Sequence, residues 1–214
     1  MTKEKPIIAV KLSGLFVKSD AWKKGHQMWF DFISQELNDE SIKEWLKKEK
    51  YFEGVESCMR RLYPEKSGME RTAIARKLYF ELVLDYVDFG KDGVVNKDVV
   101  DFFMKLKDNF RIALITTNTF SFTYRILDIL DLRELFDIIA CSELEEEDDK
   151  VLVFERFVCE HAKPVYYVGG NKKDVYEYCK KNDIPYIHAN FENEEILHGA
   201  KCAKTVLELS RLIK

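Results

Sequence analysis

No stretch of the chain approaches the roughly 18 consecutive apolar residues that a membrane-spanning helix needs, so no membrane partner is expected. No Cys-x-x-Cys pair occurs. The five cysteines (Cys58, Cys141, Cys159, Cys179, Cys202) are odd in number and far apart, and the four histidines are scattered too. That spacing argues against a zinc site and for reduced, mostly buried thiols in a cytoplasmic protein. Basic residues are not in excess: 34 Lys and Arg against 38 Asp and Glu give a formal net charge of -4. A global field that would hold nucleic acid is therefore missing. The opening Met1-Thr2-Lys3-Glu4-Lys5-Pro6 is polar and leads straight into a strand, unlike a signal peptide. Glutamine occurs only at Gln27 and Gln35 while Lys and Glu abound, a composition that leans toward a thermophilic source.

What is present is a globular chain of 214 residues, 46% hydrophobic and 34% charged, the size of one domain with an insertion. Residues 7–12 read as a short buried strand between Pro6 and Gly14. From Trp22 the period becomes helical, with Trp22, His26, Trp29, Ile33 and Leu37 on one face. Ser41 is expected to cap a second helix, Val55 to Leu62 forms a third, and Met69 to Val87 is the long central one. Residues 19–88 therefore read as an all-helical block inserted after the first strand. Its aromatic stripe is expected to be the core of a small bundle, with a binding groove as the alternative. His26 is expected to be a packed core histidine.

After Phe89-Gly90-Lys91-Asp92-Gly93 the pattern changes. A helix capped by Asp98 leads to the strand Arg111–Thr116, and strands and helices then alternate to a last helix, Ala203 to Ile213. The fold class is therefore α/β, a doubly wound Rossmann-like parallel sheet at 1–18 and 89–214 with the all-helical cap inserted.

In an open parallel sheet, ligands bind beyond the carboxyl ends of the strands. The residues there are Lys11-Leu12-Ser13-Gly14 after the first strand and Thr116-Thr117-Asn118 after the second. An acidic run, Glu143 to Asp149, follows the third and leads to Lys150; Gly169-Gly170-Asn171-Lys172-Lys173-Asp174 follows the fourth. This order resembles the haloacid dehalogenase-like hydrolases over nearly the whole chain. Thr117-Asn118 looks like the second motif of that family, and Lys150 with Phe154 a turn later looks like the third. Tyr166 to Ala189 is similar to the fourth.

The resemblance implies a phosphate-ester hydrolase with an aspartyl nucleophile, a second Asp as general acid and base, and Mg²⁺ held by acidic residues of the first and fourth motifs. It also implies that the motif-two Thr or Ser and the motif-three Lys bind the phosphoryl group. Against that pattern, Lys11 stands at the nucleophile position, Ser13 at the acid/base position, Leu15 in place of Thr, and Gly170 at a metal-ligand position. Asp174, Thr117 and Lys150 are kept. A protonated lysine has no lone pair to attack phosphorus, and serine does not shuttle protons near neutral pH as a carboxyl group does. Mg²⁺ takes carboxylate oxygens, so replacing two of them and adding an amine predicts no Mg²⁺ and no other cofactor.

These substitutions point to a non-catalytic protein that has lost Mg²⁺-dependent phosphatase chemistry. A scaffold role with a protein partner on the cap is one form of that expectation. The other is binding of a small anionic or phosphorylated ligand by Lys11, Thr117, Asn118 and Lys150, with help from the helix that follows Asn118. The plainer expectation for the site itself is an ion pair of Lys11 with Asp174 that closes it. The alternative is an active hydrolase of a small phosphorylated metabolite working through other residues. The acidic run is expected to be a solvated loop before a helix N-terminus, and Lys172-Lys173 ordinary surface.

Overall fold

The computed structural model describes residues 4–48, 51–144 and 148–213. Six parallel strands form one sheet in the order β3-β2-β1-β4-β5-β6. They are β1 (Ile7–Val10), β2 (Arg111–Thr119), β3 (Ile138–Ser142), β4 (Tyr166–Gly169), β5 (Tyr186–Ala189) and β6 (Lys201–Ala203). Alternation along β1 sorts the core onto two faces. Ile8 and Val10 join one cluster with Leu15, Phe16, Phe103 and Leu114, while Ile7 and Ala9 join another with Phe154, Phe157 and Tyr167. From β1 the chain crosses to β2 and β3 on one side and returns to β4 on the other. The crevice between the carboxyl ends of β1 and β4 is thus the topological switch point, where such sheets bind ligands.

Between β1 and β2 lie α1 (Asp20–Glu36), a 3-10 helix (Glu40–Lys47), α2 (Tyr51–Leu62), α3 (Gly68–Val94) and α4 (Lys97–Leu106). The first four carry their own apolar cluster around Trp29, Phe30, Ile33, Ile42, Cys58, Met59 and Ala75. A capping box starts α3: the Glu70 N–H donates to the Ser67 hydroxyl, and the Ser67 N–H to the Glu70 carboxylate. Helices α5 (Phe120–Ile129), α6 (Lys150–Glu160), α7 (Lys173–Lys181) and α8 (Val206–Leu212) cover the sheet. Among the described residues no helix is long and apolar enough to cross a membrane.

Gly25, in the middle of α1, explains how the helical layer sits on α3. A Cβ there would lie 2.3 Å from Val83 Cγ2 and 3.0 Å from Tyr79 Cε2. Val83 is fully buried and β-branched, so it has little freedom to yield. Gly25→Ala should therefore destabilise the fold by about 1–2 kcal/mol, although alanine gains about 1 kcal/mol of helix propensity over glycine. Urea unfolding checks this; a more stable variant would contradict the close contact.

The structure corrects several local expectations. The 3-10 helix is capped by Asp39, whose carboxylate accepts from the Ser41 N–H, because the acceptor belongs one residue ahead of the first turn. Asn96 rather than Asp98 precedes α4, and its side-chain amide donates to Leu15 O at 2.7 Å. The Phe89–Gly93 stretch does not end α3; the helix absorbs non-helical angles at Gly90 and runs on to the buried Val94. Residues 201–203 form the edge strand β6 before α8 begins, a strand too short to show a period. Of the cysteines, all free, only Cys58 and Cys179 are buried. Part of the acidic run, 145–147, lies outside the described residues; Asp149 at its end caps α6 by accepting from the Val151 and Leu152 N–H groups.

The helical layer and the sheet are joined by two chain passes that run side by side. Val17 bridges Val95 in antiparallel fashion, and Lys18 N–H donates to Val94 O at 2.8 Å.

Candidate functional site

A cavity of about 760 Å³ lies between the helical layer and the carboxyl ends of the strands. Its floor includes Lys11, Ser13, Thr117, Asn118, Lys150 and Gly170, so the residues read from the strand ends are brought together as expected. Asp174 is not among them. It stands exposed in the first turn of α7 and borders a separate recess with Asp148 and Asp149.

Lys11 follows β1 directly, its N–H donating to Val168 O at 3.1 Å, so strand pairing fixes where its side chain starts. Gly14, three residues on, takes φ +69°, a left-handed turn that suits glycine and folds the chain back under the helical layer. The Lys11 ammonium does not meet Asp174. Its partner is Glu194, with Nζ 3.8 Å from Oε2, and its side chain is only 11% exposed. The reason is topological: Glu194 lies on the segment that leaves β5, next to β4 and β1, whereas Asp174 is turned outward on α7. Burial pulls the Lys11 pKa below the ordinary lysine value, and the carboxylates of Glu194 and Glu192 pull it back up.

The ammonium also fills space that a side chain at 170 would need. A Cβ on Gly170 would lie 2.5 Å from Lys11 Nζ. The backbone of Gly170 is held by Tyr186, whose hydroxyl donates to Gly170 O at 2.7 Å.

Beneath Lys11 lies a histidine that the strand-end reading passed over. His188 in β5 is fully buried; its Nδ1 accepts from the Leu197 N–H at 3.3 Å, which leaves the proton on Nε2. Nε2 lies 3.7 Å from Glu194 Oε2, and neither atom has a hydrogen-bond partner among the described residues. Burial and then Lys11 hold the His188 pKa below the ordinary histidine value, while Glu194 opposes them. Asn190 fixes Glu194 from both sides, accepting from its N–H at 2.6 Å and donating to its carbonyl at 2.9 Å. Glu192 reaches the other way. Its carboxylate accepts from the Ser19 N–H at 2.8 Å and from the Ser19 hydroxyl, at the start of α1. Two carboxylates absent from the sequence reading thus offset the positive charge it assigned to this floor. The signal was in Asn190-Phe191-Glu192-Asn193-Glu194, the residues just after the fifth strand, where the same strand-end rule applies.

Lys150 differs from Lys11. It heads α6, lines the cavity, and makes no hydrogen bond or ion pair among the described residues. Its ammonium lies 5.9 Å from the centroid of the Tyr167 ring. Burial, then repulsion from Lys172 and Lys11, brings its pKa down to about 7, against weaker pulls from Asp148 and Asp174. Lys172 is more than ordinary surface: it lies on the cavity wall, 3.7 Å from Asp148. On β2, Thr117 and Asn118 point the chain toward α5, but the Asn118 N–H is taken by Thr116 Oγ1 at 3.1 Å. The opposite wall belongs to the helical layer. There the aromatic stripe serves both expectations at once: Trp29 and Phe30 belong to the bundle cluster and also line the cavity. His26 lines the cavity as well, stacked on Tyr79 at 4.5 Å, and burial brings its pKa to about 4.

No protein-family model and no curated protein matches the chain. Solved structures do. A haloacid dehalogenase-like family hydrolase from Streptococcus pneumoniae covers 100% of both chains at 17% identity and TM-score 0.64. A phosphatase of the same kind from Thermococcus onnurineus covers 97% of each at 14% identity and TM-score 0.66. CbbY from Rhodobacter sphaeroides, solved in complex with phosphate, covers 96% of this chain and 99% of its own at 14% identity and TM-score 0.63. This chain has the haloacid dehalogenase-like hydrolase fold.

That fold implies a Mg²⁺ ion, and the residues at this floor do not fit one. Mg²⁺ requires near-octahedral oxygen donors. Here an ammonium stands at the end of β1, position 170 has no side chain, Glu192 is bonded to Ser19, and Glu194 faces Lys11 and His188. Among the described residues no group of three or more His, Cys, Asp or Glu side chains is placed to share a metal.

Proposed function

We propose that this protein binds a small phosphorylated or otherwise anionic ligand in its cavity and does not cleave it by the metal-dependent aspartyl route. The observation that carries the reading is Lys150, an amine that lines the cavity with Thr117 and Asn118 and makes no ion pair among the described residues. An anion there supplies the missing partner and draws Lys150 into its charged form. Lys11 does different work. It stands where the family's nucleophilic carboxylate would be, and the nearby carboxylate, Glu194, is paired with it. A cavity of this size favours a small ligand over a scaffold role.

The test is calorimetric titration of the protein with inorganic phosphate, with and without Mg²⁺, alongside a phosphatase assay. Binding should be independent of Mg²⁺, and Lys150→Met should weaken it by about tenfold or more, the value of one charge-assisted hydrogen bond. Phosphatase turnover by pure protein would overturn the reading in favour of an enzyme using Lys11, Glu194 and His188. So would an affinity that Lys150→Met leaves unchanged.

A further inference from the structure

The floor of the cavity accounts for only one end of a ligand. A phosphate group alone would leave most of about 760 Å³ empty, a volume typical of sites for whole organic molecules. The facing wall is made of Trp22, Trp29, Phe30, Met59, Tyr79 and Phe80. Two of its polar groups are committed, while the buried Trp29 Nε1 has no hydrogen-bond partner among the described residues. The Tyr79 hydroxyl donates to Trp22 O at 3.4 Å, and the Arg71 guanidinium donates to the Glu56 carboxylate at 2.7 Å. His26 is held neutral and stacks nearly parallel on Tyr79, at 19°, so the pair forms a rigid aromatic stack in the wall.

Such a wall discriminates between organic bodies. The several hydroxyls of a sugar or glycerol phosphate would lose water against these rings with few partners to gain, a cost for each group left unpaired. A flat apolar body would bury its area and stack against the rings. Resting on the reading above, that the floor holds an anion, we propose that the ligand is an aryl phosphate or a close equivalent: an anionic head on Lys150 and Thr117, and an aromatic body against Trp22 and the Tyr79–His26 stack.

Titration with naphthyl phosphate, glycerol phosphate and inorganic phosphate, followed by tryptophan fluorescence and calorimetry, tests this. Naphthyl phosphate should bind about tenfold or more tightly than glycerol phosphate. Trp22→Ala should remove most of that margin and leave the affinity for inorganic phosphate unchanged. Tyr79→Leu serves the same purpose should Trp22→Ala fold poorly, as judged by circular dichroism. Equal affinity for the naphthyl and glycerol esters would overturn the aromatic assignment while leaving the anion site standing. Failure of all three anions to bind would overturn both. Retention of the naphthyl preference in both wall variants would show that the rings are not its source, and would also overturn the assignment.

Discussion

Glu194→Leu should lower the melting temperature by about 6–12 °C. Removing one partner of a buried ion pair typically costs about 3–5 kcal/mol, because the other charge is left in a low-dielectric site without compensation. The lower end applies here, since Glu194 keeps 27% of its side chain exposed. For a chain of this length each kcal/mol corresponds to about 2–4 °C. Among the described residues, the variant leaves Glu192, already bonded to Ser19, as the carboxylate acting on the Lys11 ammonium. It also deprives His188 Nε2 of its nearest acceptor. Adding Lys11→Met to the same chain should restore most of the loss, because a matched apolar pair is tolerated where half an ion pair is not. Thermal unfolding of the two single variants and the double variant measures the coupling. Strictly additive effects would mean that the two side chains do not act as a pair.

The second large effect is a pH dependence with its own sign. In the folded, ligand-free protein Lys150 titrates near 7; in an unfolded chain a lysine titrates near about 10.4. Between those values the unfolded state binds more protons, so stability rises with pH. Below about pH 7 the lysine is charged in both states and the cost of burying it is fully present. Raising the pH through 7 relieves that cost progressively. The melting temperature of the native chain should therefore gain on that of Lys150→Met between pH 7 and pH 10, since the variant has nothing to titrate there. Phosphate binding runs the other way, weakening as the pH rises past 7, because the neutral amine is a poor partner for an anion. Parallel stability profiles for the two proteins would show that Lys150 is not perturbed.

The parallel α/β class, the helical layer and the gathering at the cavity of five of the six residues at the family's motif positions were legible in the sequence, because amphipathic helices leave a period and doubly buried strands leave short apolar runs, neither of which depends on distant contacts; the order of the strands in the sheet, and β6 itself, were not. Lys11, Ser13, Thr117, Lys150 and Gly170 could be placed at the sheet's edge by position alone. The partner of Lys11 could not. Glu194 is far away in sequence, and its approach depends on Asn190 turning the chain back and on β5 lying beside β4. Choosing Asp174 followed from its place in a motif, but helical geometry points it outward. Asp39 and Asn96 were missed for a more local reason: neighbouring polar residues all fit the cap by type, and only backbone angles separate them.

The helical layer is clasped to the sheet at two separate points. Arg76 on α3 donates to the carbonyls of Thr117 at 2.8 Å, Leu144 at 2.8 Å and Glu143 at 3.0 Å, at the ends of β2 and β3. Glu192 holds the first residue before α1. The paired passes at Val17 and Val95 are the natural pivot for any outward swing. Such a swing has to give up charge-assisted hydrogen bonds worth about 1.5–3 kcal/mol each, which favours the arrangement seen here. For the anion proposed above, release would then require these latches to break as well as its own contacts.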